Sequence, residues 1–215
     1  MRAGASQRAR PAVRPASRAA RRTMYRELVI DAAERVFASR GYAGTRMQDV
    51  ADEAGLAIAT VYATIAGKEE LYAAIHERNG RVLLARAAEA AQGAGSAFEA
   101  LLGGVETYVR FLAEHPDYLR IHLNEAQPWA LDPKFLCAEQ RRQWGEGLEL
   151  TASVFRAAVS EGTVIDGDPE LMARLMIAAH QVYLVQWIEG GRREEVTVLV
   201  ARMNDHVRRA FTKTK

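Results

Sequence analysis

The sequence has a single cysteine, Cys137, and it lacks any long apolar run. One cysteine cannot form an internal disulfide or a thiolate zinc site, which favours a reducing compartment. No stretch approaches the roughly eighteen uninterrupted apolar residues that a membrane span requires. The beginning of the sequence also lacks the apolar segment of a secretory signal. We therefore expect a cytoplasmic protein with no membrane partner.

Acidic residues are missing from residues 1–24, which contain seven arginines. The whole chain has a formal net charge of +2, so the rest of the chain is net acidic. Residues 1–22 are expected to form a disordered arm, because they contain too little apolar surface to offset the entropy of ordering. Three interpretations of such an arm remain open: it binds DNA phosphates, it is an inert extension, or it is an organelle transit peptide.

Strand-type alternation is absent after the arm, whereas apolar residues recur at spacings of three and four. This pattern predicts an all-α chain of about nine helices. We expect a three-helix domain over residues 23–80 and a larger helical domain over residues 81–215. The first helix is predicted from about Thr23 to Arg40 and is expected to end at Gly41, with an inner face formed by Leu28, Ala32, Val36 and Phe37.

Two short helices are predicted next. Thr45 is expected to cap a helix over residues 46–54, and Gly55 to permit a sharp turn into a second helix at about 58–65. Helices of two to three turns are marginal alone, so such a pair persists only when it packs against a neighbour. The pattern therefore predicts a helix-turn-helix, whose second helix enters the major groove of DNA.

The residues of this region together resemble one known family. They are Gly41-Tyr42, Thr45, Asp49-Val50-Ala51, Ala54-Gly55, Thr60-Val61-Tyr62 and Lys68-Glu69-Glu70-Leu71. At these spacings they resemble the tetracycline-repressor (TetR) family of bacterial regulators. The resemblance covers residues 25–80, and it implies a homodimeric repressor released from double-stranded DNA by a small-molecule effector. Residues 81–215 would then be the effector-binding and dimerisation domain.

The resemblance also implies which residues contact DNA. Phosphate contacts are implied for Thr45, Thr60, Tyr62 and Lys68, and base contacts for the exposed side of residues 57–64. Where family members often carry polar, basic or aromatic residues, this chain has Ala57, Ile58, Ala59, Ala63 and Thr64.

These side chains cannot read guanine or adenine with paired hydrogen bonds, which leaves thymine-methyl contacts and hydroxyl bonds. Arg46 carries the guanidinium nearest in sequence to residues 57–64. It either reaches DNA or is a solvated surface residue. Over residues 25–80, Asp and Glu outnumber Lys and Arg. We therefore expect the arginine-rich arm to supply much of the affinity for DNA.

Two helices, at about 168–189 and 193–212, are predicted to form the dimer interface. Their apolar stripes consist of Leu171, Leu175, Ala179 and Val182, and of Val196, Leu199, Val200, Met203 and Val207. The alternative is that both stripes cover the core of their own domain. A four-helix bundle between two copies has two-fold symmetry, which implies a palindromic operator.

Bulky, partly polar residues of the larger domain are candidates for an effector pocket. They are Tyr108, Phe111, His122, Trp129, Phe135, Trp144, Tyr183 and Trp187. Such residues suit an apolar or aromatic effector, although aromatic residues at helical spacing are more often plain core. The proline-containing break over residues 127–133 is expected to act as a mobile gate.

Two other functional classes remain. A ligand-independent architectural DNA-binding protein is compatible with the basic arm. A helical enzyme is suggested only by His122 and Glu125, which lie three residues apart and might share a metal with His180. The sequence has no phosphate loop or nucleophile motif. We expect no catalytic residue, no cofactor and no metal site.

Overall fold

The computed structural model describes residues 18–124 and 138–213. Within these ranges there are nine helices and no strand, which confirms the predicted all-α fold. The helices are α1 (Arg18–Gly44), α2 (Met47–Ala54), α3 (Ile58–Thr64), α4 (Lys68–Gln92), α5 (Ala97–Glu114), α6 (Pro116–Asn124), α7 (Ala138–Ser160), α8 (Pro169–Glu189) and α9 (Val196–Phe211). None of these helices is both long and apolar enough to cross a membrane.

Helix α1 is longer than the sequence predicts. It begins at Arg18, so residues 18–22 are helical and the prediction that they belong to a disordered arm is wrong. Alanine and arginine are among the best helix formers, which explains this early start. Residues 1–17, the rest of the predicted arm, lie outside the described part of the chain. The predicted inner face is correct except for Leu28, which is exposed while its neighbour Val29 is buried.

Two glycines shape the helix-turn-helix. Gly41 has a φ of 70° and interrupts the helical geometry of α1, as predicted. Gly55 ends α2 in the left-handed conformation, with φ 63° and ψ 32°, and its N–H donates to the carbonyls of Ala51 and Asp52. A side chain is disfavoured at both positions by backbone sterics. The recognition helix α3 ends at Thr64, one residue earlier than predicted.

Helix α4 belongs to both halves of the molecule. Its first turns pack against α1, and its later turns pack against α5 and α7. The guanidinium of Arg78 fixes α4 on α1, because it binds the carboxylates of Asp31 and Glu34. The domain boundary predicted after residue 80 therefore falls inside a continuous helix, so that movement of α4 is shared by both halves.

Helices α5 and α7–α9 complete the larger helical unit with α4. The sequence predicts helix starts at Ser96 and at Asp168-Pro169. Both residues cap their helices: the Ser96 hydroxyl accepts the Glu99 N–H at 3.2 Å, and the Asp168 carboxylate accepts the Glu170 N–H at 3.0 Å. The sequence also predicts a long helix from Pro133 to Glu161. Residues 133–137 lie outside the described part of the chain, and α7 is described from Ala138. Helix α9 packs on α5 and α8, so it covers the core of this unit.

The two stripes predicted to form a dimer interface have different environments. Leu199, Val200, Met203 and Val207 are buried in the core of their own chain, and Val196 packs against it, so the prediction that they face a second copy is wrong. An apolar stripe shows that a helix face is buried but does not show what covers it. On α8, by contrast, Leu171, Leu175 and Val182 are 54%, 55% and 60% exposed.

The left-handed turn at Gly55 gives a direct test of the fold. We expect Gly55→Ala to lower the free energy of unfolding by about 1 kcal/mol, because a Cβ disfavours positive φ. The added methyl group meets no atom within 4 Å, so the effect comes from the backbone alone. Urea denaturation measures this change.

The matched control is Gly67→Ala. Gly67 also has open space around its Cβ position, but its φ of 175° is extended and open to any residue. A loss of stability in Gly67→Ala as large as that in Gly55→Ala would contradict the assignment.

Candidate DNA-binding surface and ligand cavity

Helix α3 presents a small and weakly polar surface to solvent. Val61 is buried and holds the helix on the core, while Tyr62 is 51% exposed. Ala57, Ala59 and Ala63 are also exposed, and Ile58, Thr60 and Thr64 are partly buried. The Thr64 hydroxyl donates to the Val61 carbonyl at 2.8 Å. The surface thus offers methyl groups and one phenol, as the sequence indicates.

Two residues with predicted phosphate contacts have structural roles instead. Thr45 is only 2% exposed, and its hydroxyl donates to the Gly41 carbonyl at 2.8 Å, which leaves no hydroxyl for a phosphate. It also does not cap α2, because the N-cap is Arg46. The Lys68 ammonium donates to the carbonyls of Tyr42 at 2.8 Å and Thr45 at 3.2 Å. It lies 4.3 Å from the centroid of the Tyr42 ring. Lys68 therefore secures the end of α1.

The acidic side chains near the helix-turn-helix are largely paired. Asp49 binds Arg40 at 2.6 Å, and Glu53 binds Arg35 at 2.6 Å. The Arg46 N–H donates to Asp49 at 2.9 Å, and this bond together with Arg40 lowers the pKa of the Asp49 carboxyl. Arg46 itself is exposed, and no carboxylate among the described residues pairs with its guanidinium. Its charge is therefore available to a polyanion.

A cavity of about 230 Å³ lies between α4, α5, α6, α7 and α8. Of the predicted pocket residues, Tyr108, His122 and Trp144 line this cavity. Trp129 and Phe135, as well as the predicted gate over residues 127–133, lie outside the described residues.

Three predicted pocket residues do not line the cavity. Phe111 is fully buried, and its ring stacks on His115 with centroids 4.2 Å apart. Tyr183 lies against His206, and the Trp187 indole donates to the Glu194 carbonyl at 2.8 Å. Tyr183 therefore belongs to the contact of α8 with α9, and Trp187 to the contact of α8 with the chain leading into α9. For these three residues the pocket prediction is wrong, because helical spacing does not indicate which buried face borders a void.

The cavity wall includes polar residues that the sequence does not single out as a pocket. His76, Tyr118, His180 and Gln181 line it, together with glycines at positions 80, 104 and 147. A Cβ built on Gly104 or Gly147 meets no atom within 4 Å. Glycine inside a helix costs about 1 kcal/mol relative to alanine, so glycines in three neighbouring helices are the sequence feature that indicates an internal space.

The polar wall residues form a small hydrogen-bonded cluster. The Tyr108 hydroxyl lies 3.0 Å from His122 Nε2, and the Gln181 amide nitrogen lies 3.4 Å from the same atom. Both groups are donors, so this arrangement makes His122 Nε2 an acceptor. Gln181 Oε1 and His180 Nε2 are buried and have no hydrogen-bond partner in the described part of the chain. The cluster therefore holds two unused polar atoms within an apolar surround.

Burial sets the protonation of these groups. It lowers the pKa of His180 to about 3, with a smaller contribution from the charge of His206. It lowers the pKa of His122 to about 4 and that of His76 to about 3, the latter also because of His122. Burial raises the pKa of the Tyr108 phenol well above its ordinary value. All four side chains are consequently uncharged at neutral pH.

The sequence of the helix-turn-helix region matches a known protein family. Residues 29–75 match the model of the bacterial regulatory proteins of the tetR family. This match includes α2, α3 and the start of α4. The helix-turn-helix domain belongs to the TetR family.

Solved structures of bacterial regulators share the fold of most of the chain, from the helix-turn-helix into the larger helical unit. The fatty acid degradation regulator FadR of Bacillus halodurans has a TM-score of 0.76 and 18% identity, over 85% of this chain and 94% of its own. A transcriptional regulator of Saccharomonospora viridis in complex with choline has a TM-score of 0.74 and 21% identity, over 89% and 100%. The ketosteroid regulator KstR2 of Mycobacterium tuberculosis has a TM-score of 0.69 and 25% identity, over 90% and 96%. No curated protein matches the chain.

A continuous line of rings connects the TetR-family domain to the cavity. Tyr72 on α4 contacts Phe37 and Tyr42, with ring centroids 5.2 and 4.9 Å apart. One turn later, His76 lies 4.6 Å from Tyr72 and 5.7 Å from Tyr118. Both His76 and Tyr118 are in the cavity wall. These rings therefore form one packed row from α1 of the DNA-binding domain to the cavity wall.

The enzyme alternative gains no support from the described residues. No group of three His, Cys, Asp or Glu side chains gathers there in a metal-binding arrangement. His122 contacts Tyr108 and Gln181, and Glu125 lies outside the described residues.

The uncharged histidines predict a pH-dependent stability. Below pH 6.5 the unfolded chain binds protons that buried His180 does not, so the free energy of unfolding falls as the pH decreases from 6.5 towards 3. Each such histidine contributes a slope of about 1.4 kcal/mol per pH unit. We expect His180→Gln to show a weaker decrease between pH 7 and pH 5 than the unmodified chain, measured by urea denaturation.

Ile177→Val, also in the cavity wall, is the control. It should lower stability equally at both pH values, because it removes a methylene group and no titrating group. An identical pH dependence in His180→Gln and the unmodified chain would show that His180 is not held neutral by burial.

Proposed function

We propose that this protein is a homodimeric transcriptional repressor that leaves its operator when a small, largely apolar molecule occupies the cavity. The observation that carries the proposal is the shared helix α4. It bears Tyr72, which packs on the DNA-binding domain, and His76, which lines the cavity one turn later. Occupancy of the cavity and the position of the helix-turn-helix are thereby physically linked.

Binding to DNA is proposed to use the exposed side of α3 and the nearby cation. Tyr62 and Thr60 contact phosphates, and Ala59 and Ala63 contact thymine methyl groups. Arg46 at the start of α2 supplies a charged contact, since its guanidinium is not paired with a carboxylate. This small set of groups implies that DNA shape contributes much of the specificity.

The beginning of α1 adds positive charge to the same side. Arg26 forms an ion pair of 3.8 Å with Glu70, which places this face of α1 beside the start of α4 and hence near the end of α3. Arg22 lies one turn earlier on the same face and is exposed. We propose that Arg22 and the arginines of residues 1–17 bind DNA phosphates that flank the recognition helix.

Release from DNA is proposed to be a shift between two arrangements of α4. A ligand that fits only one arrangement stabilises it by the difference between its affinities for the two states. In a dimer, this changes the separation of the two recognition helices, which must match one turn of DNA. The effector therefore needs no contact with DNA.

Dimerisation is proposed to use the exposed face of α8. Leu171, Leu175, Ala178 and Val182 follow one another at spacings of three and four and form one apolar stripe. Exposed apolar stripes of this kind mark interaction surfaces in soluble proteins. Ala179 is partly buried at its margin.

The dimer proposal predicts that Val182→Glu yields a monomer. A carboxylate within this apolar interface would be buried without a partner, which is strongly unfavourable. The control is Val82→Glu, because Val82 is an exposed valine on α4, away from this stripe. Sedimentation velocity should show a dimer for the control and a monomer for Val182→Glu. Dimers in both variants would rule out this face.

Selection of binding sites from random DNA tests the function directly. We expect an inverted repeat whose half-sites lie about 10 base pairs apart. Arg46→Ala should weaken binding and reduce the slope of log affinity against log salt by about one. Arg156→Ala, an exposed arginine on α7, should leave both unchanged.

Two outcomes of the selection would count against the proposal. Failure to enrich any sequence would favour an architectural DNA-binding protein. An unchanged salt slope in Arg46→Ala would remove Arg46 from the interface. Repeating the salt titration after deletion of residues 2–17 tests the proposed contribution of the arginine-rich segment.

A further inference from the structure

The chemistry of the cavity narrows the class of molecule that it can hold. No Asp, Glu, Lys or Arg is among the described residues of its wall, which is formed mainly by aliphatic side chains such as Leu83, Val105 and Ile177. Its three histidines are uncharged at neutral pH. A carboxylate or an ammonium group would lose its hydration there without gaining an opposite charge, which is strongly unfavourable. The cavity therefore disfavours charged ligands.

Two wall residues have unused hydrogen-bonding capacity. His180 is 4% exposed and Gln181 is 9% exposed, and within residues 18–124 and 138–213 neither His180 Nε2 nor Gln181 Oε1 has a hydrogen-bond partner. Buried polar atoms in native proteins are nearly always paired, because an unpaired one has lost its hydration without replacing it. These atoms belong to adjacent residues of α8 that line the same cavity. A ligand that supplies the missing hydrogen bonds would gain affinity.

A hydroxyl group matches this pair of atoms. Gln181 Oε1 only accepts, so the ligand must donate a hydrogen to it. A hydroxyl group has only one hydrogen, so after donating it to Gln181 Oε1 it can only accept from His180, whose neutral imidazole then carries its proton on Nε2. Ethers and ketones lack the hydrogen that Gln181 Oε1 requires. The nearby Tyr108 hydroxyl is already bound to His122 at 3.0 Å, so it does not fill this role.

We propose that the cavity binds an uncharged, apolar alcohol whose hydroxyl group bonds to Gln181 and His180 of α8. The inference rests on the proposed function, because it names the class of the effector. The cavity volume of about 230 Å³ is below the range of about 300–1,000 Å³ that is usual for drug-sized ligands. A short aliphatic chain suits this space better than a large fused-ring system.

Four probes of similar size test the proposal on the full chain by calorimetry at pH 7.5. They are 1-octanol, its isomer heptyl methyl ether, octanoate and octyltrimethylammonium. We expect octanol to bind about ten-fold more tightly than the ether, because the ether lacks the donor hydrogen, and the two ions to bind more weakly still. Octanoate or the ammonium ion binding as tightly as octanol, or no octanol binding at millimolar concentration, would overturn the proposal.

Two variant pairs locate the binding site. Gln181→Leu should abolish the preference for octanol over the ether, and Gln186→Leu, on the exposed side of the same helix, should retain it. Gly104→Leu should block both probes by filling the cavity, whereas Gly103→Leu should not, because Gly103 has equal space for a Cβ but does not line the cavity. Unchanged octanol binding in Gly104→Leu would also overturn the proposal.

The outcomes separate the ligand class from the proposed function. Binding of octanol is measured without DNA, so it stands even if octanol leaves operator affinity unchanged; that result would refute the effector role alone. Conversely, a charged probe that binds and releases the operator would refute the ligand class and leave the repressor proposal intact.

Discussion

The packing of Tyr72 and His76 on α4 is the contact on which the structure depends. Tyr72 packs against the rings of both Phe37 and Tyr42 in the DNA-binding domain, and His76 contacts Tyr118 in the cavity wall. Protein interiors are close-packed and transmit strain, so neither ring can move without displacing its neighbours. Arg78 lies half a turn beyond His76. Its ion pairs with Asp31 and Glu34 hold α4 against α1.

The cavity is maintained at a cost to stability. Gly80, Gly104 and Gly147 weaken three helices, and buried His180 and Gln181 each retain an unpaired atom. A chain optimised only for stability would fill this space with aliphatic side chains. Glycines inside helices and unpaired buried polar atoms both lower stability, and such unfavourable choices are typical of functional sites. The same features define a site that is apolar, uncharged and able to form a few directed hydrogen bonds.

Much of the fold was predictable because it depends on local chemistry. Gly41 and Gly55 adopt positive φ, Ser96 and Asp168 cap their helices, and the periodic apolar residues form helices as expected. The site was less predictable because it depends on contacts between distant residues. Lys68 binds carbonyls at the end of α1, and the stripe of α9 faces its own core. The spacing of residues along one helix predicts neither the carbonyls that Lys68 binds nor the core that the α9 stripe covers.

The recognition surface and the cavity differ in how much the sequence revealed. The methyl-rich exposed side of α3 follows directly from Ala59 and Ala63, since short helices leave few alternatives for which residues face outward. In the cavity, by contrast, the sequence predicts Tyr108, His122 and Trp144 as pocket residues, and all three line the cavity. It does not predict that His180 and Gln181 form a polar part of the same wall. His180 and Gln181 become a polar wall only because residues of neighbouring helices enclose the cavity with them.

The most direct measurement of the coupling through α4 compares operator affinity in Gly104→Leu and Gly103→Leu. A leucine at Gly104 occupies the cavity permanently, whereas one at Gly103 does not. If the cavity and the DNA-binding domain are coupled through Tyr72 and His76, Gly104→Leu should bind the selected operator about ten-fold more weakly than Gly103→Leu, a coupling of about 1.4 kcal/mol. Equal operator affinities in two folded, dimeric variants would contradict that coupling.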